Sequence, residues 1–204
     1  GGRQRRVGVL AHNHSLHEVV AEQAAHAAYV AERALGASPP FVLQGHLDAR
    51  ATFVYSHISH VLFEVIKNAM KATLNSKDPK SIVQIRIVQG ESDVSVLISD
   101  QGGGMSRRRL VECCDYLSAT SESFDRLTQQ QSYQPPSDPL TGTGTGLPVS
   151  QLYARHFGGD LRLVSLEGHG TLAALYLPLD DPFEAVPLRW SQGMEGLHPL
   201  GAAY

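Results

Sequence analysis

The chain has 204 residues, of which 42% are hydrophobic, and a formal net charge of −3 at pH 7. This length and composition suit one globular unit that can bury a full core. The longest apolar runs fall short of the roughly 18 residues that a membrane span needs. The sequence has no basic stripe with interleaved aromatic residues, so it does not predict nucleic acid as a partner.

An alanine-rich helix is the first predicted element, from about His12 to Leu35, and it stops before Gly36-Ala-Ser-Pro-Pro40. His12, His14 and His17 lie in this stretch without cysteine or carboxylate partners at ligand spacing. A zinc site is therefore not expected there.

A second helix is predicted between Thr52 and Ser76, where no Gly or Pro occurs and apolar residues recur at helical spacing. His60, Glu64, Asn68 and Lys71 follow at successive intervals of four, four and three residues, so they fall on one stripe. A histidine, a carboxylate, an amide and an amine on one stripe can perform chemistry. The alternative is a solvated face on which the carboxylate only pairs with a nearby lysine.

The strand predicted at Val94–Ser99 leads into Asp100, which Gln101 and three glycines follow. A carboxylate at a strand end can accept a hydrogen bond from an exocyclic amine, and glycines leave no Cβ to obstruct a flat ring. Taken alone, the same run is typical of a tight turn.

Two further features follow this box. Cys113 and Cys114 are adjacent and so poorly placed for a structural disulfide, which favours a reducing compartment. Residues from about 118 to 141 are rich in Ser, Gln and Pro and show no periodicity. A long loop of this kind in a compact domain is usually functional or disordered. We interpret it as a nucleotide lid, with a plain linker as the alternative.

The run Thr141-Gly-Thr-Gly-Thr-Gly146 leads into a predicted helix from Leu147 to Phe157, with Pro148 in its first turn. Such a loop can bind an anion, because free backbone N–H groups and the positive end of the helix dipole converge there. It is not a Walker loop, since no Gly-Lys-Ser/Thr follows, and it does not follow a strand as a dinucleotide-binding loop does.

Strands and helices together predict an α/β sandwich of two layers, in which helices cover one face of a mixed sheet. The predicted strands are Phe41–Gly45, Ile82–Gln89, Val94–Ser99, Asp160–Leu166 and Thr171–Leu179. The tail that follows is rich in proline and contains the single Trp190. This Trp either packs on its own domain, lodges in a partner, or belongs to a partly disordered tail.

In combination, the Asn-bearing helix, the Asp-x-Gly-Gly-Gly box and the Gly-x-Gly loop resemble the GHKL ATPase superfamily of DNA gyrase, Hsp90, histidine kinases and MutL. Within it, the chain most resembles the mitochondrial kinases of pyruvate dehydrogenase and branched-chain 2-oxoacid dehydrogenase. The segments that carry this likeness are Glu64–Thr73, Asp100–Gly104, Gly144–Arg155 and Phe157–Leu163. The pyruvate dehydrogenase kinase branch is nearer, judged by Tyr153–Phe157 and Ser165–Thr171.

This resemblance implies the Bergerat-type ATP-binding fold and three segments. Residues 1–35 would be the end of a preceding helical bundle with a connecting helix, residues 36–180 the ATP-binding kinase domain, and residues 181–204 a C-terminal tail. In a homodimer, Trp190 of that tail would anchor in the other subunit. The resemblance also implies ATP and Mg²⁺ as cofactors, K⁺ as a further candidate ion, and the mitochondrial matrix as the location.

The implied function is that of a protein serine kinase that inactivates the E1 component of a mitochondrial 2-oxoacid dehydrogenase complex, most closely pyruvate dehydrogenase. The lipoyl domain of E2 would bind the helical bundle, most of which is expected to precede this chain. Three alternatives stay open: a conformational ATPase of the Hsp90, gyrase or MutL type, a sensor histidine kinase with His12 or His14 as the phosphoacceptor, and a scaffold without ATP chemistry.

Motif positions carry the implied roles of single residues. Glu64 would be the general base toward a serine hydroxyl, with His60 orienting its carboxylate. Asn68 would give Mg²⁺ an oxygen ligand. Lys71 would be a supplementary cation, and Asp100 would accept a hydrogen bond from the adenine amino group. The other implied ATP-binding positions are Gly102, Gly104, Met105, Ala119, Thr120, Gly142, Thr143, Gly144, Thr145, Gly146, Leu147 and Thr171.

Overall fold

The computed structural model describes residues 6–7, 10–76, 78, 80–114, 146–156 and 158–179. Within these ranges the helices are α1 (Leu16–Leu35), α2 (Tyr55–Leu74), α3 (Arg107–Cys114) and α4 (Gly146–His156). The strands are β1 (Arg6–Val7), β2 (Leu10–Ser15), β3 (Phe41–Gly45), β4 (Arg50–Val54), β5 (Val83–Gln89), β6 (Asp93–Asp100), β7 (Asp160–Leu166) and β8 (Gly170–Pro178).

The main sheet has five strands in the order β3-β5-β6-β8-β7, in which β3 and β5 are parallel and the other neighbours antiparallel. Ile85, Ile98 and Ala173 form one buried row across its inner face. Helices α2 and α4 pack on this side, while Arg86 and Val164 are exposed on the other. The predicted two-layer α/β sandwich with a mixed sheet is thus confirmed.

The beginning of the chain differs from the prediction. Residues Leu10–Ser15 form a strand that pairs with β4, so α1 begins at Leu16 and not at His12. Ser15 caps the helix, because its Oγ accepts a hydrogen bond from the backbone N–H of Glu18 at 3.3 Å. We expected this stretch to be the helical end of a bundle, and that prediction is wrong for the described residues. The division of the chain into three segments stays a prediction.

A second difference concerns the start of α2. The predicted helix from Thr52 begins at Tyr55, because Arg50–Val54 form the unpredicted strand β4. The residue at the N-cap of α2 is Val54, which makes no capping hydrogen bond through its side chain. The sequence therefore carries no capping signal at this boundary. The five predicted strands are confirmed to within one residue at each end.

Packing fixes the orientation of α2. Its residues Ile58, Leu62, Ile66 and Met70 are fully buried and face the core that α1 and the sheet share. Because these residues recur every four positions, the polar stripe is held at the edge of the core instead of turning into it. Within the described part of the chain, no helix is long and apolar enough to cross a membrane.

Helices α2 and α4 also meet through aromatic rings. His57 stacks on Tyr153 with ring centroids 4.2 Å apart and an interplanar angle of 4°. His60 contacts the edge of the same tyrosine at 5.4 Å, and His156 lies 6.4 Å from His57. Burial, and then the neighbouring His156 and His60, lower the pKa of His57 below its ordinary value of 6.5.

This contact makes stability depend on pH. Because His57 binds a proton less readily in the folded state, the unfolded chain is protonated first as the pH falls below 6.5. The free energy of unfolding should therefore fall over that range. His57→Phe keeps a ring against Tyr153 but does not titrate, so urea unfolding at a series of pH values from about 7.5 to 5 should show a smaller loss. The exposed His169→Phe is the control, and equal pH slopes for native protein and His57→Phe would contradict the assignment.

Candidate active site

A cavity of about 500 Å³ lies among α2, α3, the first residues of α4 and the strands β6, β7 and β8. Its volume falls in the range of small-molecule sites, about 300–1,000 Å³. Ten residues assigned to the site by sequence line it: Glu64, Asn68, Lys71, Asp100, Gly102, Gly104, Met105, Gly146, Leu147 and Thr171. Segments far apart in the sequence are thus brought to one place.

Other assigned residues lie elsewhere. His60 does not line the cavity, and within the described residues its Nε2 atom is buried without a hydrogen-bond partner. Its role in orienting Glu64 stays a prediction. Ala119, Thr120 and Gly142–Thr145 fall outside the described residues, as do the expected lid at 118–141 and the tail with Trp190.

A buried ion pair forms one wall of the cavity. Lys67 Nζ lies 2.7 Å from Glu64 Oε1, and the two side chains are only 10% and 15% exposed. The ion pair that we considered for a solvated face is therefore present, but both partners line the cavity. Sequence reasoning missed Lys67 as part of the site, because a lysine three residues after a glutamate is equally typical of an exposed helix surface.

The amino end of α4 lies beside the carboxylate of Glu64. A Cβ at Gly146 would overlap Glu64 Oε2, so the first residue of the helix lies directly against this carboxylate. The positive end of the dipole of α4 thus lies beside a carboxylate, which is a favourable arrangement. The N–H groups of a first helical turn are a common binding site for anions.

Asp100 occupies another part of the cavity wall. Its Oδ1 accepts hydrogen bonds from the backbone N–H of Gly102 at 2.9 Å and of Thr171 at 3.3 Å. Burial raises the pKa of Asp100 above its ordinary 3.8, and these two hydrogen bonds oppose the shift. A carboxylate has two acceptor oxygens, so binding of these donors at Oδ1 leaves the acceptor capacity of Oδ2.

Strand register places one further residue, Ser165, beside this part of the cavity wall, and sequence reasoning missed it. Thr171 lies opposite Asp100 on one side and opposite Ser165 on the other. Ser165 Oγ is 2.9 Å from Thr171 Oγ1 and accepts a hydrogen bond from the N–H of Met105 at 2.8 Å. Ser165 thereby fixes the loop that carries Met105. No local signal could have identified it, because its position depends on the pairing of β7 with β8.

The glycines after Asp100 allow close approach of backbone to backbone. A Cβ at Gly102 would overlap the backbone of Ala72 in α2, and one at Gly104 would overlap the carbonyl of Leu166. Gly104 also has a φ of 67°, which residues with side chains rarely adopt. The loop can therefore lie against α2 and β7 and leave the cavity open to a flat ring.

Gly102 provides a direct test of this packing. Gly102→Ala should lower the free energy of unfolding by roughly 1–3 kcal/mol, because the methyl group must displace the backbone of α2. Urea unfolding measures the effect. Gly90→Ala is the matched control, since its Cβ would meet the flexible Asp93 side chain at 3.1 Å and the Asp93 carbonyl oxygen at an ordinary contact distance of 3.4 Å. Equal stability of the two variants would show that α2 and the loop are less closely packed than described.

Comparison with known proteins gives the class of this fold and site. Residues 54–181 match the family described as histidine kinase-, DNA gyrase B- and HSP90-like ATPase. The chain belongs to this family, as its resemblance indicated, and this supports ATP as its nucleotide.

Within the family, the chain is similar to mitochondrial kinases of pyruvate dehydrogenase. It is 36% identical over 197 residues to the probable pyruvate dehydrogenase (acetyl-transferring) kinase of Caenorhabditis elegans, covering 92% of this chain and 46% of the relative. It is 34% identical to the kinase of Ascaris suum over the same shares of both chains. Isozyme 1 of Rattus norvegicus is 39% identical over 131 residues, or 63% of this chain and 29% of the relative. The chain thus spans less than half the length of these relatives.

Proposed function

We propose that this chain is the ATP-binding domain of a protein serine kinase that phosphorylates the E1 component of a mitochondrial 2-oxoacid dehydrogenase and thereby inactivates it. Pyruvate dehydrogenase is the proposed substrate, since the relatives described above are named for it. The observation that carries the proposal is the position of Glu64, whose carboxylate borders the ATP cavity one helical turn from Asn68.

Adenine recognition would fall to Asp100. The adenine amino group can donate to Oδ2, while Oδ1 stays with the N–H groups of Gly102 and Thr171. Because each carboxylate oxygen then has its own donor, burial of this charge is compensated once a nucleotide is bound. Gly104 and Met105 would flank the ring.

The phosphates would lie toward α4, where the N–H groups of Gly146 and Leu147 and the amine of Lys71 border the cavity. The donor set suits Mg²⁺. Asn68 offers a neutral amide oxygen, and the described residues contain no cluster of three or more His, Cys, Asp or Glu side chains that could hold a metal by themselves. Mg²⁺ commonly takes most of its ligands from phosphates and water, and it would neutralise the charge of the triphosphate.

Glu64 is the proposed general base. It would accept the proton of the attacking serine hydroxyl as the γ-phosphoryl group is transferred. Lys67, at 2.7 Å from Oε1, holds that oxygen in place, while Oε2 lies against Gly146 at the start of α4. His60 lies one helical turn earlier on α2 and is the proposed orienting residue.

Location and partners belong to the same proposal. The mitochondrial matrix follows from the substrate, since the relatives are named mitochondrial. The full-length protein would act as a homodimer and would bind the lipoyl domain of E2 through a helical bundle.

The test is transfer of labelled γ-phosphate from Mg-ATP to purified E1 by the full-length parent protein. We expect label on a serine of pyruvate dehydrogenase E1 and much less on branched-chain E1, which is the matched substrate. Phosphate released only to water would support a conformational ATPase instead. Acid-labile label on the kinase itself at His12 or His14 would support a histidine kinase.

A further inference from the structure

The aromatic ring of Tyr153 on α4 lies beside His60 and takes no part in the proposed chemistry. Helices α2 and α4 run in opposite directions where they meet. Gly146 lies against Glu64, and Tyr153, about two turns later on α4, stacks on His57, about two turns before Glu64 on α2. His60 falls between these two contacts. Helix α4 therefore follows the polar stripe of α2 from Glu64 back past His60.

The imidazole of His60 is held by a ring contact. Within the described part of the chain its Nε2 atom is buried without a hydrogen-bond partner, so no hydrogen bond at this nitrogen fixes the ring. The χ2 torsion of a histidine is otherwise broad. The ring of Tyr153 lies 5.4 Å from that of His60, at an interplanar angle of 77°. Nearly perpendicular rings at this distance attract each other, so Tyr153 favours one orientation of the imidazole.

Tyr153 is itself held from its other side. Its ring stacks on His57 with centroids 4.2 Å apart and an interplanar angle of 4°, which leaves the tyrosine little room to tilt. Helix α4 also buries Pro148, Ser150 and Ala154. The place of α4 beside Glu64 therefore does not depend on Tyr153 alone, and the ring can be changed without releasing the helix.

We propose that Tyr153 is a positioning residue for phosphate transfer, since its ring fixes the imidazole of His60, which in turn orients the Glu64 carboxylate. This inference rests on the proposed function of Glu64 and His60. Tyr153 does not belong to the described residues that line the ATP cavity, so it acts through His60 and does not touch the nucleotide. Small displacements of a reacting group cost large factors in rate, which is why such support matters.

Tyr153→Leu removes the ring and keeps an apolar side chain. In the full-length parent protein it should slow single-turnover transfer to E1 by about 10- to 100-fold, with ATP affinity within about threefold of the native value. Tyr153→Phe should keep native transfer, because both ring contacts remain. Leu152→Ala is the control, since this neighbouring side chain on α4 is 64% exposed. Native transfer by Tyr153→Leu, or equal losses in the two Tyr153 variants, would overturn the role of the ring.

A double-mutant cycle with His60→Gln tests whether Tyr153 acts through His60. The double variant should transfer phosphate no more slowly than His60→Gln alone, because the ring of Tyr153 then has no imidazole to orient. Additive losses would show an effect that bypasses His60 and would overturn the proposal. If Tyr153→Leu fails to fold, His57→Leu loosens the same ring from its other side and should also slow transfer, whereas His57→Phe should not. Native transfer by His57→Leu would then overturn the proposal.

NMR spectra of the histidine rings give a readout that needs no E1. They are recorded on the full-length protein labelled at histidine, and the His60 signals are assigned by their loss in His60→Gln. These signals should shift in Tyr153→Leu, because the ring current of the tyrosine is removed, and should stay near their native positions in Tyr153→Phe. Unchanged His60 signals in Tyr153→Leu would overturn the contact. Expected shifts in a protein that transfers no phosphate to E1 would count against the proposed function alone.

Discussion

Glu64→Gln is expected to slow phosphate transfer to E1 by a factor of about 10² to 10⁴, the usual contribution of a general base. ATP affinity should stay within about threefold of the native value, because a base acts mainly in the transition state. The amide preserves the size of the side chain and an oxygen for Lys67 Nζ, which lies 2.7 Å from Oε1 in the native protein. The change removes the ability to take a proton and, with it, the negative charge that pairs with Lys67. Single-turnover transfer with saturating ATP measures the chemical step.

Glu112→Gln is the matched control for this variant. Glu112 also pairs with a basic residue, Arg108 at 2.8 Å, but these side chains are 41% and 90% exposed on α3. Exposed pairs contribute about 0–1 kcal/mol, so this change should leave transfer unaltered. Native transfer by Glu64→Gln would exclude Glu64 as the base. Loss of ATP binding in the same variant would show that its carboxylate serves the nucleotide instead.

Asp100→Asn should weaken ATP binding by about 10- to 100-fold, as loss of a specific buried hydrogen bond commonly does. The asparagine oxygen would take the place of Asp100 Oδ1, which in the native protein accepts hydrogen bonds from the N–H groups of Gly102 at 2.9 Å and Thr171 at 3.3 Å. Its NH₂ group would then face the adenine amino group, donor against donor. Calorimetric titration with ATP gives the change.

Inosine triphosphate separates this effect from general damage. Its ring carries a carbonyl oxygen where adenine carries the amino group, and that oxygen can accept from the asparagine NH₂. The ratio of affinities for inosine triphosphate and ATP should therefore rise in Asp100→Asn. Asp93→Asn, at the exposed other end of β6, is the control and should change neither affinity. An equal loss for both nucleotides in Asp100→Asn would contradict adenine recognition by this carboxylate.

The same carboxylate should make ATP binding sensitive to acid. Burial raises the pKa of Asp100 above 3.8, so protonation begins at a higher pH than for an exposed aspartate. A protonated oxygen is a poorer acceptor for the adenine amine, and affinity should decline as the pH falls toward this raised pKa.

The fold could be predicted wherever the signal was local. The alternation in Val94–Ser99 and the helical spacing around Glu64 each specify their element within a short window. Arg50–Val54 has no such window, because it merges with α2 without a cap or a turn. Residues near His12 contain no helix breaker, and their strand conformation depends on pairing with β4.

The residues of the site likewise divide into those that local motifs predict and those that depend on tertiary packing. Glu64 and Asp100 stand within motifs that have a recognisable order, so their place at the cavity was predictable. Ser165 contacts the cavity residues Met105 and Thr171 because of the register of β7 and β8, and Cys113 lines the cavity because α3 packs beside α4. Lys67 was visible in the sequence, but only the structure distinguishes a buried pair at the cavity from a solvated one.

The passage from β4 to α2 has a mechanical consequence. Val54 ends the strand and Tyr55 begins the helix, so no loop separates them to act as a hinge. The small antiparallel sheet of β1, β2 and β4 is therefore joined directly to the helix that carries Glu64. If another domain docked against that sheet and displaced it, α2 would be displaced with it. Such a displacement would move the polar stripe as one body and alter its distance from the nucleotide.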